Sequence, residues 1–561
     1  MKAIVSELFS LLSQYGVKYA VCSPGSRNAE LLQQASVSEE IKKIIIIDER
    51  TAAFTALGIG LITRKPVALI CTSGSAVLNY SPAVAEAYYQ GVPLIIISAD
   101  RPYEWIDQDD SQTIRQNGAL NNLVKTSYDI DAERNDSVYK WYVNRIINEG
   151  LLTALEKKEG PVHFNIHLSG NVQPVDEGLI KAARKVEVLT PSQRLSRDTI
   201  NVLAEIARTK KIMLVAGFMP PDNRLQKAVL ALEKLSNVCI LAETVSNLHL
   251  PQQCYMVDTV LFPLDSATRD RLKPDIVISL GGALISRKLK EFLREAKPKY
   301  HWSFTYANNL VDCFMSLTQK MECDPAPFLA AIAKRLSRFD AQNEEHNNYR
   351  NQWYELRANT RQDIDSFKWC DLTALNIVLN SLPKDTNLFL SNGTCVRYGQ
   401  IIPYNITHAA FSNRGVSGIE GSTSTAIGAS LVYNKLTCLV TGDMSFAYDI
   451  GALRTELASG RLRIIVLDNG GGEIFRFIKA TKELEIREKF LCVCQENRIP
   501  LLAKTFGWAY YYANSKKELK KIIREFFRPS EIPMILHIDT RGINNSEILT
   551  NFLNKYGLEK N

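Results

Sequence analysis

The feature that most constrains the fold of this 561-residue chain is a recurrence of short, nearly unbroken apolar runs separated by segments of helical character. They include "KKIIIID" (42–48), "PVALICTS" (66–73), "PLIIISAD" (93–100), "PVHFNIHL" (161–168), "KIMLVAGF" (211–218) and "PDIVISLGG" (274–282). "NLFLSNG" (387–393), "LTCLVTGD" (436–443), "LRIIVLDN" (462–469) and "PMILHIDT" (533–540) follow. A strand with one wet face alternates apolar and polar residues. These runs are apolar on both faces, the pattern of parallel strands covered by helices on either side. The chain is therefore predicted to be α/β, built from mostly parallel sheets flanked by helices. Its length exceeds one ordinary core. Two polar, proline- or charge-marked stretches, 169–196 and 338–353, predict three units near 1–180, 190–335 and 350–561.

Composition excludes several function classes. The residues are 46% hydrophobic and 23% charged, and the net charge of +7 comes from interspersed Lys, Arg, Asp and Glu. No basic tract of the kind that binds nucleic acid or a membrane surface is present. The N-terminal run carries Glu7 and no cleavage pattern, so it reads as an amphipathic helix. No uncharged apolar run approaches the roughly 18 residues of a spanning helix. The eleven cysteines are scattered, many in apolar contexts, as expected of reduced thiols in a cytoplasmic protein. Cys492 and Cys494 have no second pair at zinc spacing. "SGSAV" (73–77) lacks the G-x-S-x-G frame of a hydrolase elbow, and the seven histidines offer it no obvious partner.

The chemistry concentrates in "LTCLVTGDMSFAYDIGALRTELASGRLRIIVLDNGGGEIF". A strand ends at Gly442-Asp443, and Ser445 suits a helix N-cap. Phe446, Ile450, Leu453 and Leu457 recur at helical spacing up to Gly460, and a second strand returns to Asp468-Asn469. Parallel pairing would bring Asp443 and Asn469 to one sheet edge. A carboxylate, an amide oxygen and a glycine carbonyl suit a hard cation such as Mg2+ that shares its shell with phosphate. A helix N-terminus adds free N–H groups for that phosphate. Glycines 470–472 let a ligand approach the backbone closely.

This unit resembles the thiamin diphosphate signature, a Gly-Asp followed about 25 residues later by an Asn that closes an apolar strand. Asp468 stands where the first Asn of the usual pair is expected. The resemblance implies the thiamin diphosphate-binding fold: a pyrimidine-binding unit, a central α/β unit and a diphosphate-binding unit, in that order. It implies a metal, Mg2+ or Mn2+, held by Asp443, Asn469 and the Gly471 carbonyl. It also requires a glutamate facing the aminopyrimidine, and Glu49, in the first turn of the helix after "IIIID", matches. Asp48 and Arg50 read as local structural charges. The family resemblance further implies a homodimer whose sites join two subunits, with pairing into tetramers left open.

"SPGSR", "DERTAAFTALGIGL", "ADRP" and "NRGVSGI" narrow the resemblance to the menaquinone-pathway SEPHCHC synthase family. These enzymes decarboxylate 2-oxoglutarate and add the succinyl unit in conjugate fashion to isochorismate. Both substrates carry two carboxylates, for which arginine is the suited partner. Carried across, the motifs give Ser26, Arg27, Arg101, Gln112, Arg397 and Arg414 as substrate ligands, with Arg287 and Lys288 from the central unit. Ile474 and Phe475 would border the reacting carbon. Gly442, Asp443, Met444, Ser445, Asn469, Gly471 and Ile474, with Glu49, would hold the cofactor. Ser111, where Asn is common, and Gly393, where Ser is common, depart from the pattern. Two alternatives stand beside this reading. One is a related 2-oxo-acid decarboxylase or acetohydroxyacid synthase; the other is a non-catalytic thiamin- or nucleotide-binding regulator. Glu49 argues against the latter, since binding alone needs no carboxylate there.

Overall fold

A computed structural model describes residues 2–172, 182–189, 194–250, 257–307, 309–338, 349–359, 364–403, 408–454, 456–493, 496 and 498–555. The segments 169–196 and 338–353 lie partly, and Cys254 and Cys494 wholly, outside them. The nine described cysteines are free, and all but Cys313 are buried. Among the described residues no helix is long and apolar enough to cross a membrane.

Three parallel sheets form the frame. The first contains β1 (Tyr19–Cys22), β2 (Lys42–Ile45), β3 (Val67–Cys71), β4 (Leu94–Asp100), β5 (Ser127–Asp131) and β6 (Val162–His167). The second contains β7 (Ile212–Ala216), β8 (Val238–Ala242), β9 (Ile276–Leu280), β10 (Tyr300–Phe304) and β11 (Gln319–Met321). The third contains β12 (Asn387–Leu390), β13 (Ala410–Phe411), β14 (Thr437–Gly442), β15 (Leu462–Asp468), β16 (Ala509–Ala513) and β17 (Met534–Asp539). Every quoted apolar run contains a strand. β3, β4 and β15 are buried along their whole length, as continuous apolar runs require.

The first sheet is ordered β2-β1-β3-β4-β6-β5 and the third β13-β12-β14-β15-β17-β16. Counted within each sheet these are the same order, so the outer units share one topology. The middle sheet, β11-β10-β9-β7-β8, is the doubly wound order 2-1-3-4-5 read from its other edge. In such sheets ligands sit beyond the carboxyl ends of strands. The candidate residues follow that rule: Arg27 comes after β1, Glu49 after β2, Arg101 after β4, Asp443 after β14 and Asn469 after β15.

The outer units meet through two helices, Glu49–Thr63 and Ser422–Val432. A Cβ on Gly58 would lie 2.0 Å from the Thr425 carbonyl, and one on Gly428 would lie 2.0 Å from the Thr55 carbonyl. The helices therefore touch backbone to backbone. Asp48 caps the first, accepting the Thr51 N–H at 3.1 Å. Arg50 donates to the Tyr448 carbonyl at 3.0 Å and stacks on its ring. Both flanking charges are structural, as the sequence suggests.

The single helix expected from Phe446 to Gly460 is not formed. The helix spans Asp443–Tyr448, and a short 3-10 segment, Ile450–Arg454, follows. The break falls at Asp449, whose carboxylate accepts the Ser424 N–H at 2.7 Å and its hydroxyl at 2.8 Å. Capping the neighbouring helix takes precedence over continuing its own. Gly460 serves close approach instead, since a Cβ there would lie 1.7 Å from the Ser530 carbonyl. Arg463, polar within an apolar run, is wholly buried and donates to the carbonyls of Gly460, Leu462, Phe526 and Arg528. It thereby satisfies the orphan carbonyls where helix Lys516–Phe526 ends.

Replacing Gly428 by alanine must push these helices apart. The expected outcome is destabilisation of ~3 kcal/mol, read as a lower denaturation midpoint, with loss of thiamin diphosphate affinity. An unchanged midpoint would contradict the contact.

Candidate active site

β14 pairs in parallel with β15, Gly442 opposite Leu467, so Asp443 and Asn469 leave the sheet at neighbouring points. Asp443 is the first residue of its helix, and Ser445 lies inside the first turn rather than capping it. The Ser445 hydroxyl donates to the Ile419 carbonyl, and the Met444 N–H donates to Asp443 Oδ1 at 2.8 Å. The expected cap is thus replaced by Gly442, because the chain turns one step earlier, at the strand end.

This edge crowds carboxylates. Burial, then the neighbouring Asp468, push the Asp443 carboxyl up to about 7. Burial pushes Asp371 up to about 6 against the hydrogen bonds it accepts from Thr540 and Asn469. The Asn469 Nδ2 donates to Asp371 Oδ2 at 2.8 Å, which turns the amide oxygen the other way. Asp371 therefore orients the expected metal ligand. Its signal in "KWCDLTAL" is only an acid opening a helix, which sequence reading passes over.

Gly471 and Gly472 have φ of 84° and 66°, closed to most side chains. A Cβ on Gly471 would also fall 2.6 Å from the Val493 carbonyl, and one on Gly472 would fall 2.6 Å from Cys492 Cα. Conformation and space both demand glycine. Among the described residues no group of three or more His, Cys, Asp or Glu could hold a metal. A cation here needs mixed oxygen donors, and Asp443, the Asn469 amide and the Gly471 carbonyl are of the right chemistry.

Asp468, the departure from the signature, has its own partners. His537 Nε2 lies 2.9 Å from its Oδ2, and Arg541 Nε lies 3.6 Å away. The Tyr510 hydroxyl meets the other ring nitrogen of His537 at 2.9 Å. The acid ties the metal edge to β17, and an Asn could not form the ion pair. Beyond the glycines, Glu473 accepts the Ser546 N–H and pairs with Arg476 at 2.6 Å, fixing the turn that presents half-buried Ile474 and Phe475.

Glu49 opens its helix half-buried. Burial raises its carboxyl pKa, opposed by a backbone hydrogen bond and aided by Asp48. On the same edge, Arg27 donates to the Leu168 carbonyl at 3.0 Å. Arg101 pairs with Asp110 at 2.8 Å and donates to the Ser111 carbonyl at 2.8 Å. That contact uses the Ser111 main chain, so it does not depend on which side chain stands there. Gln112, at φ 59°, donates to the Ser73 carbonyl at 3.3 Å, while Ser26 is exposed.

Arg397 and Arg414 form a second group. Arg397 donates to the Gly393 carbonyl, and Gly393 has φ 95°, where a serine would be strained. Arg414 donates to Asn392 Oδ1 at 3.0 Å, and Asn392 is itself held by the carbonyls of Asn413 and Gly418. Burial lowers the guanidinium pKa of Arg27, Arg397 and Arg414; Arg101 lowers Arg27 further, and Arg414 lowers Arg397. The buried Nε–H groups of Arg27, Arg101 and Arg414 have no partner among the described residues. Such donors fit an anionic ligand. Arg287 joins neither group: its side chain is 74% exposed and pairs with Glu291 at 2.8 Å. Lys288 shares Glu291 at 3.3 Å and lies over the Phe262 ring.

Because burial and the neighbouring Asp468 keep the Asp443 carboxyl protonated to higher pH than usual, a proton must leave before a cation binds in mildly acidic solution. Calorimetric Mg2+ affinity measured with thiamin diphosphate should fall by up to about tenfold per pH unit below about 7 and level off above it. A flat profile would remove Asp443 from the ligand set.

Comparison with known proteins agrees with this geometry. Residues 4–119 match the family described as thiamine pyrophosphate enzyme, N-terminal TPP binding domain. Residues 190–390 match the middle domain of thiamine pyrophosphate, and 392–538 the C-terminal TPP binding domain. The chain is 38% identical to a 2-succinyl-5-enolpyruvyl-6-hydroxy-3-cyclohexene-1-carboxylate synthase of Porphyromonas gingivalis, covering 98% of this chain and 96% of the relative. It is 34% and 33% identical to proteins of the same name from Cytophaga hutchinsonii and Bacteroides thetaiotaomicron, with 98% of each chain covered. The buried carboxylate edge, the glutamate-led helix and the extent of these matches mean that the chain belongs to the 2-succinyl-5-enolpyruvyl-6-hydroxy-3-cyclohexene-1-carboxylate synthase family of thiamin diphosphate enzymes.

Proposed function

We propose that the chain joins 2-oxoglutarate, with loss of CO2, to isochorismate, forming the cyclohexene carboxylate of menaquinone synthesis in the cytoplasm. Its working units would be the three near 1–180, 190–335 and 350–561. The observation that carries the substrate reading is the set of half-buried arginines in two groups, three of which keep a buried, unpartnered Nε–H among the described residues. Substrates with two carboxylates each need such fixed cations. A pyruvate-type substrate has one carboxylate and no use for four guanidinium groups.

When bound, thiamin diphosphate supplies the electron sink that lets a 2-oxo acid lose CO2. Asp443, the Asn469 oxygen and the Gly471 carbonyl would hold Mg2+ or Mn2+ against its diphosphate. Glu49, with its carboxyl raised by burial, would exchange a proton with the aminopyrimidine. Arg27, Arg101, Arg397 and Arg414 would fix the substrate carboxylates, with Ser26 and Gln112 beside the first pair. Ile474 and Phe475 would keep water from the reacting carbon.

The unit of function is proposed to be a homodimer, open to pairing into tetramers, with Glu49 of one subunit facing the metal edge of the other. Supporting this, exposed Ile45 (56%) and Ile47 (76%) flank Glu49, and exposed Tyr448 ends the helix that Asp443 opens. Apolar residues grouped around a site are the usual mark of a buried interface.

With thiamin diphosphate, Mg2+ and both substrates, CO2 release should be accompanied by an isochorismate-dependent adduct. Turnover of pyruvate without that adduct would overturn the assignment. Glu49→Gln should keep cofactor affinity while turnover drops by about 10²- to 10⁴-fold; undiminished turnover would sink the proton-transfer role.

Subunit sharing is read by mixing inactive Glu49→Gln and Asp443→Asn proteins after subunit exchange. Sites built across the interface regain about a quarter of wild-type activity, because half the dimers carry one intact site. Sites built within one chain regain none.

A further inference from the structure

Arg414 sits where the three sheet units converge, and two buried carboxylates from the other two units hold its surroundings. Glu86, on helix Ser81–Gln90 of the N-terminal unit, accepts the Gly415 N–H at 2.5 Å and the Val416 N–H at 2.7 Å. Gln90, one turn on, donates to the Ser412 carbonyl at 3.3 Å. The helix thus grips the chain on both sides of Arg414. The fit is close: a Cβ on Gly415 would lie 2.7 Å from the Glu86 carbonyl oxygen.

Glu243, fully buried just past β8, accepts the Ile285 and Ser286 N–H groups, each at 2.7 Å. Arg414 Nη2 donates at 3.4 Å to the carbonyl of Leu284, the residue before them. The carboxylates occupy their oxygens with backbone donors, and among the described residues the guanidinium itself meets only neutral acceptors, Asn392 Oδ1 and the Leu284 carbonyl. Neither carboxylate forms an ion pair with the guanidinium, although both lie close enough to favour its charged form.

We propose that Glu86 and Glu243 are positioning residues that clamp Arg414 from two neighbouring units so that its guanidinium is preset for a substrate carboxylate. A carboxylate that paired with Arg414 directly would compete with that substrate. One that holds the adjacent backbone sets direction without competition. The clamp also makes the arginine's position depend on all three units being assembled. The substrate part of this inference rests on the function proposed above; the clamp itself does not.

The test uses the full-length variants Glu86→Gln, Glu243→Gln, Gly415→Ala and Arg414→Lys, and the Glu86→Gln/Arg414→Lys double variant. Displacing a preset group should raise KM for 2-oxoglutarate or isochorismate about tenfold or more, with kcat within about threefold and thiamin diphosphate affinity unchanged. The double variant should be no worse than Arg414→Lys alone, since residues acting through one group are not additive. Independent of any substrate, hydrogen exchange in 412–418 should quicken in Glu86→Gln and Gly415→Ala. Additive KM losses, a fall in kcat with KM unchanged, or unaltered exchange in 412–418 would each overturn the clamp. A wild-type protein that turns over neither substrate would overturn the functional reading instead, leaving exchange to decide the clamp.

Discussion

The contact on which the rest of the molecule depends is the backbone-to-backbone packing of helices Glu49–Thr63 and Ser422–Val432. With glycine at 58 and 428, no side chain separates the two backbones there. The distance between the outer units is therefore set by main-chain atoms, which cannot adjust by changing rotamer. Each helix carries part of the site's frame. The first begins at Glu49, and the second begins beside the Asp449 cap, just past the helix that Asp443 opens. Fixing one pair of helices fixes the relation between two sheet edges.

The metal edge shows what such a frame makes tolerable. Asp371, Asp443 and Asp468 lie close together and buried, an arrangement that costs folding free energy when all are ionised and unpaired. Part of that cost is offset by Thr540, Asn469, His537 and Arg541, which donate to or pair with these acids. The same logic runs through the arginines. Half-buried Arg397 and Arg414 repel each other, and the buried, unpartnered Nε–H groups of Arg27, Arg101 and Arg414 carry a desolvation cost.

Much of this was legible before any coordinates. The apolar runs are strands because a two-faced hydrophobic sequence can be buried only between helix layers. Asp443, Asn469 and the three glycines could be grouped because one βαβ unit brings its strand ends to the same edge. Other features were not legible. The helix after Asp443 stops at Asp449, although its apolar spacing continues, because the Asp449 carboxylate is taken up in capping another helix. Asp371, Glu86 and Glu243 look like ordinary helix or strand-end acids in sequence. Arg287 fits a basic motif yet points to solvent, because its position on the helix directs it toward Glu291.

The sequence by itself determined the α/β class, the parallel strands, the cofactor family and most of the candidate site residues. These follow from local pattern: periodicity of two or 3.6, glycine where φ is positive, oxygen-bearing residues at strand ends. Only the tertiary structure decided which of those residues are held and by what. Asn469 is oriented by Asp371 from 98 positions away, Arg414 is framed by Glu86 and Glu243 from two other units, and Asp468 answers to His537. Those partners are distant in the chain, and no local pattern encodes a contact that exists only once distant strands, helices and, for Arg414, three sheet units have come together.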